Sequence, residues 1–187
     1  MVYCRSATNS YNDFAMILLI TGNGKGKTTS AIGQAVRMVG DLKRVLMVQF
    51  IKGPWRSGED DAQMLLRPYF KIIKTGLGFV GILGDTLPRD EHARAAREGL
   101  ALAYTEMTSS NWDAIILDEV NNAIHLQLLA LADVLEFIRD LPQGMDLILT
   151  GRDAKPELIE LADIVSEINE VKHPYQEGAK GTKGIEW

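Results

Sequence analysis

Residues 16–36 read MILLITGNGKGKTTSAIGQAV. The opening run, 16–21, is apolar up to Thr21 and reads as a buried strand, and a helical pattern begins at Lys27. Between them stands GNGKGKTT, residues 22–29. Gly22, Gly24 and Gly26 allow a sharp turn and a close backbone approach. The amides of residues 23–28, together with the N-terminus of the following helix, then point at one spot suited to a phosphate. Lys27 adds a point charge for phosphate oxygens, and Thr28 a hydroxyl suited to magnesium. A glycine-rich turn with merely solvated lysines is the competing reading. The order strand, loop, Gly-Lys-Thr, helix argues against it. The usual phosphate loop is G-x-x-x-x-G-K-[ST], and here only three residues separate Gly22 from Gly26. A loop one residue short holds its phosphates in a different register, which weakens the case for an ordinary hydrolase or kinase.

Outward from that stretch, strand-like and helical patterns alternate. Strands are expected at 16–21, 45–50, 70–75, 113–120, 145–151 and 163–171. Helices are expected over Lys27–Val39, Asp90–Ser109, Asn121–Leu141 and Pro156–Ala162, with Leu131, Val134, Leu135 and Ile138 marking the period clearly. Most strands are apolar on both faces, so both faces must be covered. The fold class is α/β, a mainly parallel sheet with helices on both faces. Irregular stretches are expected at 52–61 and 76–89. In such sheets ligands sit beyond the carboxyl ends of the strands, where those loops emerge.

Composition narrows the partners. The 187 residues suit one domain over 16–187, preceded by a flexible N-terminal arm over 1–15. A net charge of −5 gives no global attraction to nucleic acid or anionic lipid, and no basic strip interleaved with aromatics is present. Cys4 is the only cysteine, no apolar run is long enough for a membrane helix, and a cytoplasmic location is expected.

Two further strand ends carry chemistry. ILDE (116–119) places Asp118 and Glu119 where a holder of magnesium, or of its bound water, is needed. TGR (150–152) ends the next strand at the same edge and offers Arg152 to a phosphate or ribose. His92 and His125 lie in helical patterns without a second ligand at metal spacing, and His173 sits in a polar tail. No serine or cysteine occupies a nucleophile elbow.

GNGKGKTT, VQFIKG (48–53), the Gly-Phe of GLGF (76–79), ILDE, TGR, LIELADIVSEI (158–168) and VKHPY with a closing GIEW together resemble the P-loop corrinoid adenosyltransferases, the ATP:cob(I)alamin adenosyltransferase family. The resemblance runs from about Met16 to Trp187. It implies a P-loop NTPase (RecA-like) fold and a homodimer. ATP would be held along the loop by Gly22, Asn23, Gly24, Lys25, Gly26, Lys27, Thr28 and Thr29, with Arg152. It would lie in the reverse direction, so that triphosphate leaves as a unit. Cobalt(I) of the corrinoid, supplied with electrons by a reductase, would attack C5′. Lys27, Thr28 and Glu119 would be the catalytic residues, with Mg2+ on Thr28, Asp118 and Glu119.

One motif departs from the family. The loop after the third strand usually reads Gly-Phe-x-Trp there, and this chain has Gly78-Phe79-Val80-Gly81. Phe79 is the remaining corrinoid contact. Either another aromatic such as Trp55 takes the missing place, or the substrate is a differently liganded corrinoid, or the activity has drifted. An ATPase or nucleotide kinase, and a non-catalytic nucleotide-sensing or corrinoid-carrier protein, share the loop and carboxylates and stay open as readings.

Overall fold

The computed structural model describes residues 15–82, 84–174, 178 and 181–185. Of the expected N-terminal arm only Ala15 falls among them, and Cys4, Tyr175 and Trp187 lie outside them. All six expected strands form, each inside its expected range: β1 Ile17–Thr21, β2 Val45–Gln49, β3 Phe70–Lys74, β4 Ala114–Asp118, β5 Asp146–Thr150 and β6 Ile164–Glu167. They lie in the order β3-β2-β4-β5-β1-β6, and each neighbouring pair is parallel. The central strands β2 and β4 are buried along their whole length, as continuous apolar runs in a doubly covered sheet require.

The helices are α1 Lys27–Gly40, α2 Gly58–Leu65, α3 Arg89–Thr108, α4 Val120–His125, α5 Leu131–Arg139 and α6 Pro156–Leu161. Alternation along each strand divides the core in two. Met47, Phe70, Ile116 and Ile148 meet Ala31, Ala35 and Met38 of α1 on one face. On the other, Leu46, Val48, Ile115, Leu117, Leu147 and Leu149 meet Ala96 and Ala103 of α3 and Val134 and Phe137 of α5. Alanines at the contact surfaces let α1 and α3 sit close to the sheet, with α1 delivering its N-terminus to the end of β1.

Two expectations need correction. The helix expected over Asn121–Leu141 is broken between α4 and α5. Gln127 takes a left-handed conformation (φ 56°), and the amides of Leu128 and Leu129 turn back to the carbonyl of Ala123. This lets Leu129, which would leave the apolar face of a continuous helix, enter the core beside Leu128. The stretch 52–61, read as irregular, runs into α2. Its start is a capping box in which the Asp60 carboxylate accepts the Ser57 amide at 2.7 Å. None of its residues is buried, so it shows no apolar stripe. The last strand is also shorter than the 163–171 expected.

The buried polar residues reveal what the sheet is for. Thr21, Gln49, Asp118 and Thr150 are buried, and they are the last residues of β1, β2, β4 and β5. Polar groups are costly inside a core unless paired. Here four of them gather at the carboxyl edge, where the glycine-rich loop also emerges. Among the described residues no helix is long and apolar enough to cross a membrane.

Candidate active site

The loop after β1 turns at Gly22 (φ 97°) and Gly26 (φ 120°), the second serving as N-cap of α1. Gly26 is glycine for its backbone conformation, since an added Cβ would meet nothing nearer than 3.8 Å. Gly22 and Gly24 are glycine for another reason. A Cβ at Gly22 would stand 2.4 Å from the carbonyl oxygen of Ile168, and one at Gly24 would stand 2.8 Å from the backbone of Asn169. The chain leaving β6 therefore lies across the loop. The Gly24 amide donates to the Ile168 carbonyl at 2.7 Å, so it does not join the amides expected to converge on phosphate. The close approach that the glycines permit is, at these two positions, to the protein's own backbone.

Lys27 folds back and donates its ammonium to the carbonyl of Gly24 at 2.7 Å. Burial and the neighbouring charge of Arg152 lower its pKa, against the pull of Glu119, Asp118 and Glu170. The backbone amide of Arg152, just past the end of β5, donates to Asn122 Oδ1 at 2.8 Å. Asn23 and Lys25 of the loop and Thr29 in the first turn of α1 are exposed.

Behind Lys27 stands the carboxylate of Asp118, wholly buried. Thr28 Oγ1 donates to its Oδ1 at 2.9 Å, Thr150 Oγ1 to the same oxygen at 2.7 Å, and Gln49 Nε2 to Oδ2 at 3.0 Å. Burial pushes its pKa up, and the donors from Thr150, Thr28 and Gln49 with the charge of Lys52 oppose that. With its proton committed to Asp118, the Thr28 oxygen keeps lone pairs for a ligand. Glu119 follows in a left-handed conformation (φ 62°) at the start of α4, its amide held by Thr150 Oγ1 at 2.9 Å. Burial, and then Asp118, push its carboxyl up to about 7, while Lys52, Lys27 and Arg152 pull the other way. Thr28, Asp118, Glu119 and Lys27 therefore meet in one place.

Gln49, Thr150 and Lys52 are neighbours of these carboxylates to which motif reading gave no role, although VQFIKG and TGR contain all three. The available signal was position. Gln49 pairs in register with Asp118 across β2 and β4, and Thr150 is the residue after Leu149, the partner of Leu117. A polar residue ending an apolar strand beside a carboxylate is a candidate partner for it.

The loops after β2 and β3 run on side by side, since Thr75 and Gly76 donate to the Gln49 carbonyl and Gly78 to that of Ile51. This brings Trp55 and Phe79 together, with ring centroids 6.0 Å apart and planes inclined by 28°. Both rings remain open to solvent, Trp55 at 61% and Phe79 at 49% exposure. The histidines are elsewhere. His92 is buried on α3 with both Asp85 oxygens 3.1 Å from Nε2, and His125 lies 3.6 Å from Asp153 on the surface.

The chain is similar over most of its length to known proteins. The corrinoid adenosyltransferase of Escherichia coli strain K12 is 38% identical over 175 residues, 92% of this chain and 85% of that one. Corrinoid adenosyltransferase CobA of Salmonella typhimurium is 35% identical over the same shares. That of Pseudomonas aeruginosa is 33% identical over 172 residues, 92% and 83% of the two chains. Among solved structures, KaiC-like protein PH0186 of Pyrococcus horikoshii OT3 superposes with a TM-score of 0.53 over 83% of this chain and 71% of that one. At 16% identity it shows the fold alone, a parallel sheet with helices on both faces. The family model described as ATP:corrinoid adenosyltransferase BtuR/CobO/CobP matches residues 13–187, and the chain belongs to that family.

Proposed function

We infer that this protein transfers the 5′-deoxyadenosyl group of ATP to the cobalt of a corrinoid, releasing triphosphate, in the synthesis or salvage of adenosylcobalamin. The observation that carries the reading is the shortened loop itself. Its lysine and threonine face two strand-end carboxylates, in a chain that matches the family over nearly its whole length. In the reaction the electron pair of cobalt(I) forms a bond to C5′, and the C5′–O bond breaks. The electron pair of that bond stays on triphosphate. No protein base or covalent nucleophile is needed, which fits a site built from donors and carboxylates.

The chain's residues then divide the task. Free loop amides and Lys27 receive the phosphates, preorganised for a leaving group whose charge grows. Lys27 leaves its resting bond to the Gly24 carbonyl to do so. Arg152 adds a second cation beside them.

The site suits magnesium on its own chemistry. A threonine oxygen and the Glu119 carboxylate are hard oxygen donors, and burial pushes the Glu119 carboxyl up to about 7, so a cation beside it would favour its ionised form. Magnesium takes most of its ligands from phosphate and water, so two protein oxygens are enough to seat it. Thr28 and Glu119 would hold it directly. Asp118, with both oxygens occupied by donors, fixes Thr28 and Thr150. Bound there, magnesium would neutralise charge on the departing triphosphate.

Trp55 and Phe79 form the corrinoid platform in this reading. Of the three alternatives left open by the missing tryptophan, the stacked pair supports the first, in which Trp55 reaches in from the neighbouring loop. One sheet with a core on each face supports residues 16–187 as a single domain. A homodimer, a reductase that supplies cobalt(I) and a cytoplasmic location accompany this reading through the family resemblance.

ATP labelled with 13C at C5′, incubated with magnesium and chemically reduced corrinoid, tests it. The label should appear bonded to cobalt. Label remaining in nucleoside phosphates after turnover would refute the transfer.

A further inference from the structure

We propose that Lys74, with Asp60, and the Asp85–His92 pair are positioning residues for the corrinoid site, holding Trp55 and Phe79 together before substrate arrives. The proposal rests on the reading of that aromatic pair as the corrinoid platform. Two half-exposed rings on surface loops would ordinarily sample many rotamers. Here each loop is tied down at its base by a carboxylate that bridges its backbone to a largely buried side chain, Lys74 for one loop and His92 for the other.

Lys74 ends β3 with its side chain 15% exposed. Its ammonium donates to the Trp55 carbonyl at 2.7 Å, to Ser57 Oγ at 3.2 Å and to Asp60 Oδ2 at 2.5 Å. An ammonium has three protons, and all three are spent on the segment 55–60. Asp60 in turn accepts the Ser57 amide, which closes the turn that carries Trp55. The indole then lies against backbone without side chains. A Cβ at Gly53 or at Gly78 would come within 2.4 or 2.6 Å of it. Glycines on both loops therefore make room for one ring.

The Phe79 loop is fastened from the opposite side. Asp85 Oδ2 accepts the Gly81 amide at 2.8 Å and Oδ1 accepts the Leu87 amide at 3.0 Å. Both oxygens face Nε2 of His92, whose side chain on α3 is 2% exposed. A lone histidine thus becomes the post to which the loop is tied. Contacts of this kind normally order what they bury, yet these order two rings that stay open to solvent. Preordering a platform lowers what must be ordered on binding, so the benefit falls on corrinoid affinity.

The test uses full-length protein carrying Trp112→Phe and Trp187→Phe, so that Trp55 is the only tryptophan. Lys74→Met and Asp85→Asn are made in it, with Lys74→Arg as a charge-retaining rescue. Lys43→Met, which removes a comparable lysine–carboxylate contact to Asp146 at the other end of the sheet, controls for general loosening. Lys74→Met should lower Trp55 fluorescence anisotropy and raise KM for the corrinoid about tenfold, leaving KM for ATP within about twofold, with Lys74→Arg recovering part of both losses. Asp85→Asn should raise the corrinoid KM in the same direction, and Lys43→Met should change neither KM. Unchanged anisotropy in Lys74→Met would overturn the proposal, as would equal rises in both KM values. Should Lys74→Met fail to fold, Asp85→Asn decides by the same KM criterion. Trp55→Ala and Phe79→Ala separate the two levels: if they raise the corrinoid KM while Lys74→Met and Asp85→Asn do not, the platform stands and the positioning role is refuted. If neither aromatic variant affects it, the platform reading fails and takes the proposal with it.

Discussion

Replacing Thr150 by valine isolates the hydroxyl that links the Asp118 carboxylate to the backbone amide of Glu119. Valine keeps the shape of the side chain and removes two hydrogen bonds, one donated to Asp118 Oδ1 at 2.7 Å and one accepted from the Glu119 amide at 2.9 Å. The first goes to a charged, wholly buried acceptor and is worth about 2 kcal/mol. The second leaves an amide without a partner, at a cost of about 1–2 kcal/mol. Together they predict about 3–4 kcal/mol of lost stability, a fall of about 1.5–2 M in the urea midpoint for an m-value of about 2 kcal/mol/M. Function should fall as well, because Glu119 sits in a left-handed conformation (φ 62°) that its bond to Thr150 helps to hold. Released, it moves away from the position facing Thr28, and adenosylation should drop about 10–100-fold. Urea unfolding followed by fluorescence, and turnover with saturating substrates, measure the two effects. Thr150→Ser keeps the hydroxyl and should lose less than half as much of either. A midpoint for Thr150→Val within about 0.3 M of the parent would refute the account of how these carboxylates are held.

Lys27→Ala should abolish turnover while changing stability by less than about 1 kcal/mol, since its one side-chain bond is to its own loop; retained turnover would remove Lys27 from the phosphate site. Gly24→Ala should destabilise by about 1–3 kcal/mol by forcing Asn169 off the loop, whereas Gly33→Ala, in α1 with open space around it, should stabilise by about 0.5–1 kcal/mol. Equal effects in urea unfolding would contradict the packing described for the loop. Burial raises the Asp60 carboxyl, but Lys74 and the Ser57 amide outweigh it and leave the folded pKa below the ordinary value. That contribution to stability is present above the unfolded value of about 3.9 and is lost as pH falls through the folded one. The gap in urea midpoint between the parent and Asp60→Asn should therefore narrow from pH 6 toward about pH 3, and a gap that widens on acidification would have the sign wrong.

The sheet was legible because parallel strands covered on both faces are written as continuous apolar runs, as β1, β2, β4 and β5 are, while the exposed edge strand β6 was the least marked and the least well bounded. The loop was legible because Gly-Lys-Thr between a strand and a helix answers to one chemistry. What escaped depended on other parts of the chain. Gly22 and Gly24 were read as making room for a ligand, when the segment after β6 occupies that space, and nothing within residues 22–29 says so. The helix α2 lacks an apolar stripe and announces itself only through Ser57 and Asp60. The break at Gln127 follows from where Leu129 must be buried, which is a tertiary requirement. The partnership of Trp55 with Phe79 could be named as one option and not chosen. The choice lies in the parallel course of two loops, carried on by backbone bonds beyond the ends of β2 and β3.

The most direct measurement of the central claim is the phosphorus product of a single turnover, followed by 31P NMR with magnesium-ATP and cobalt(I) corrinoid in stoichiometric amounts. A site that opens ATP at C5′ must release triphosphate, one equivalent for each cobalt–carbon bond seen in the absorption spectrum. Triphosphate rising in step with that band, and absent without corrinoid, is the predicted result. ADP and inorganic phosphate as the primary products, formed at the same rate with or without corrinoid, would contradict it.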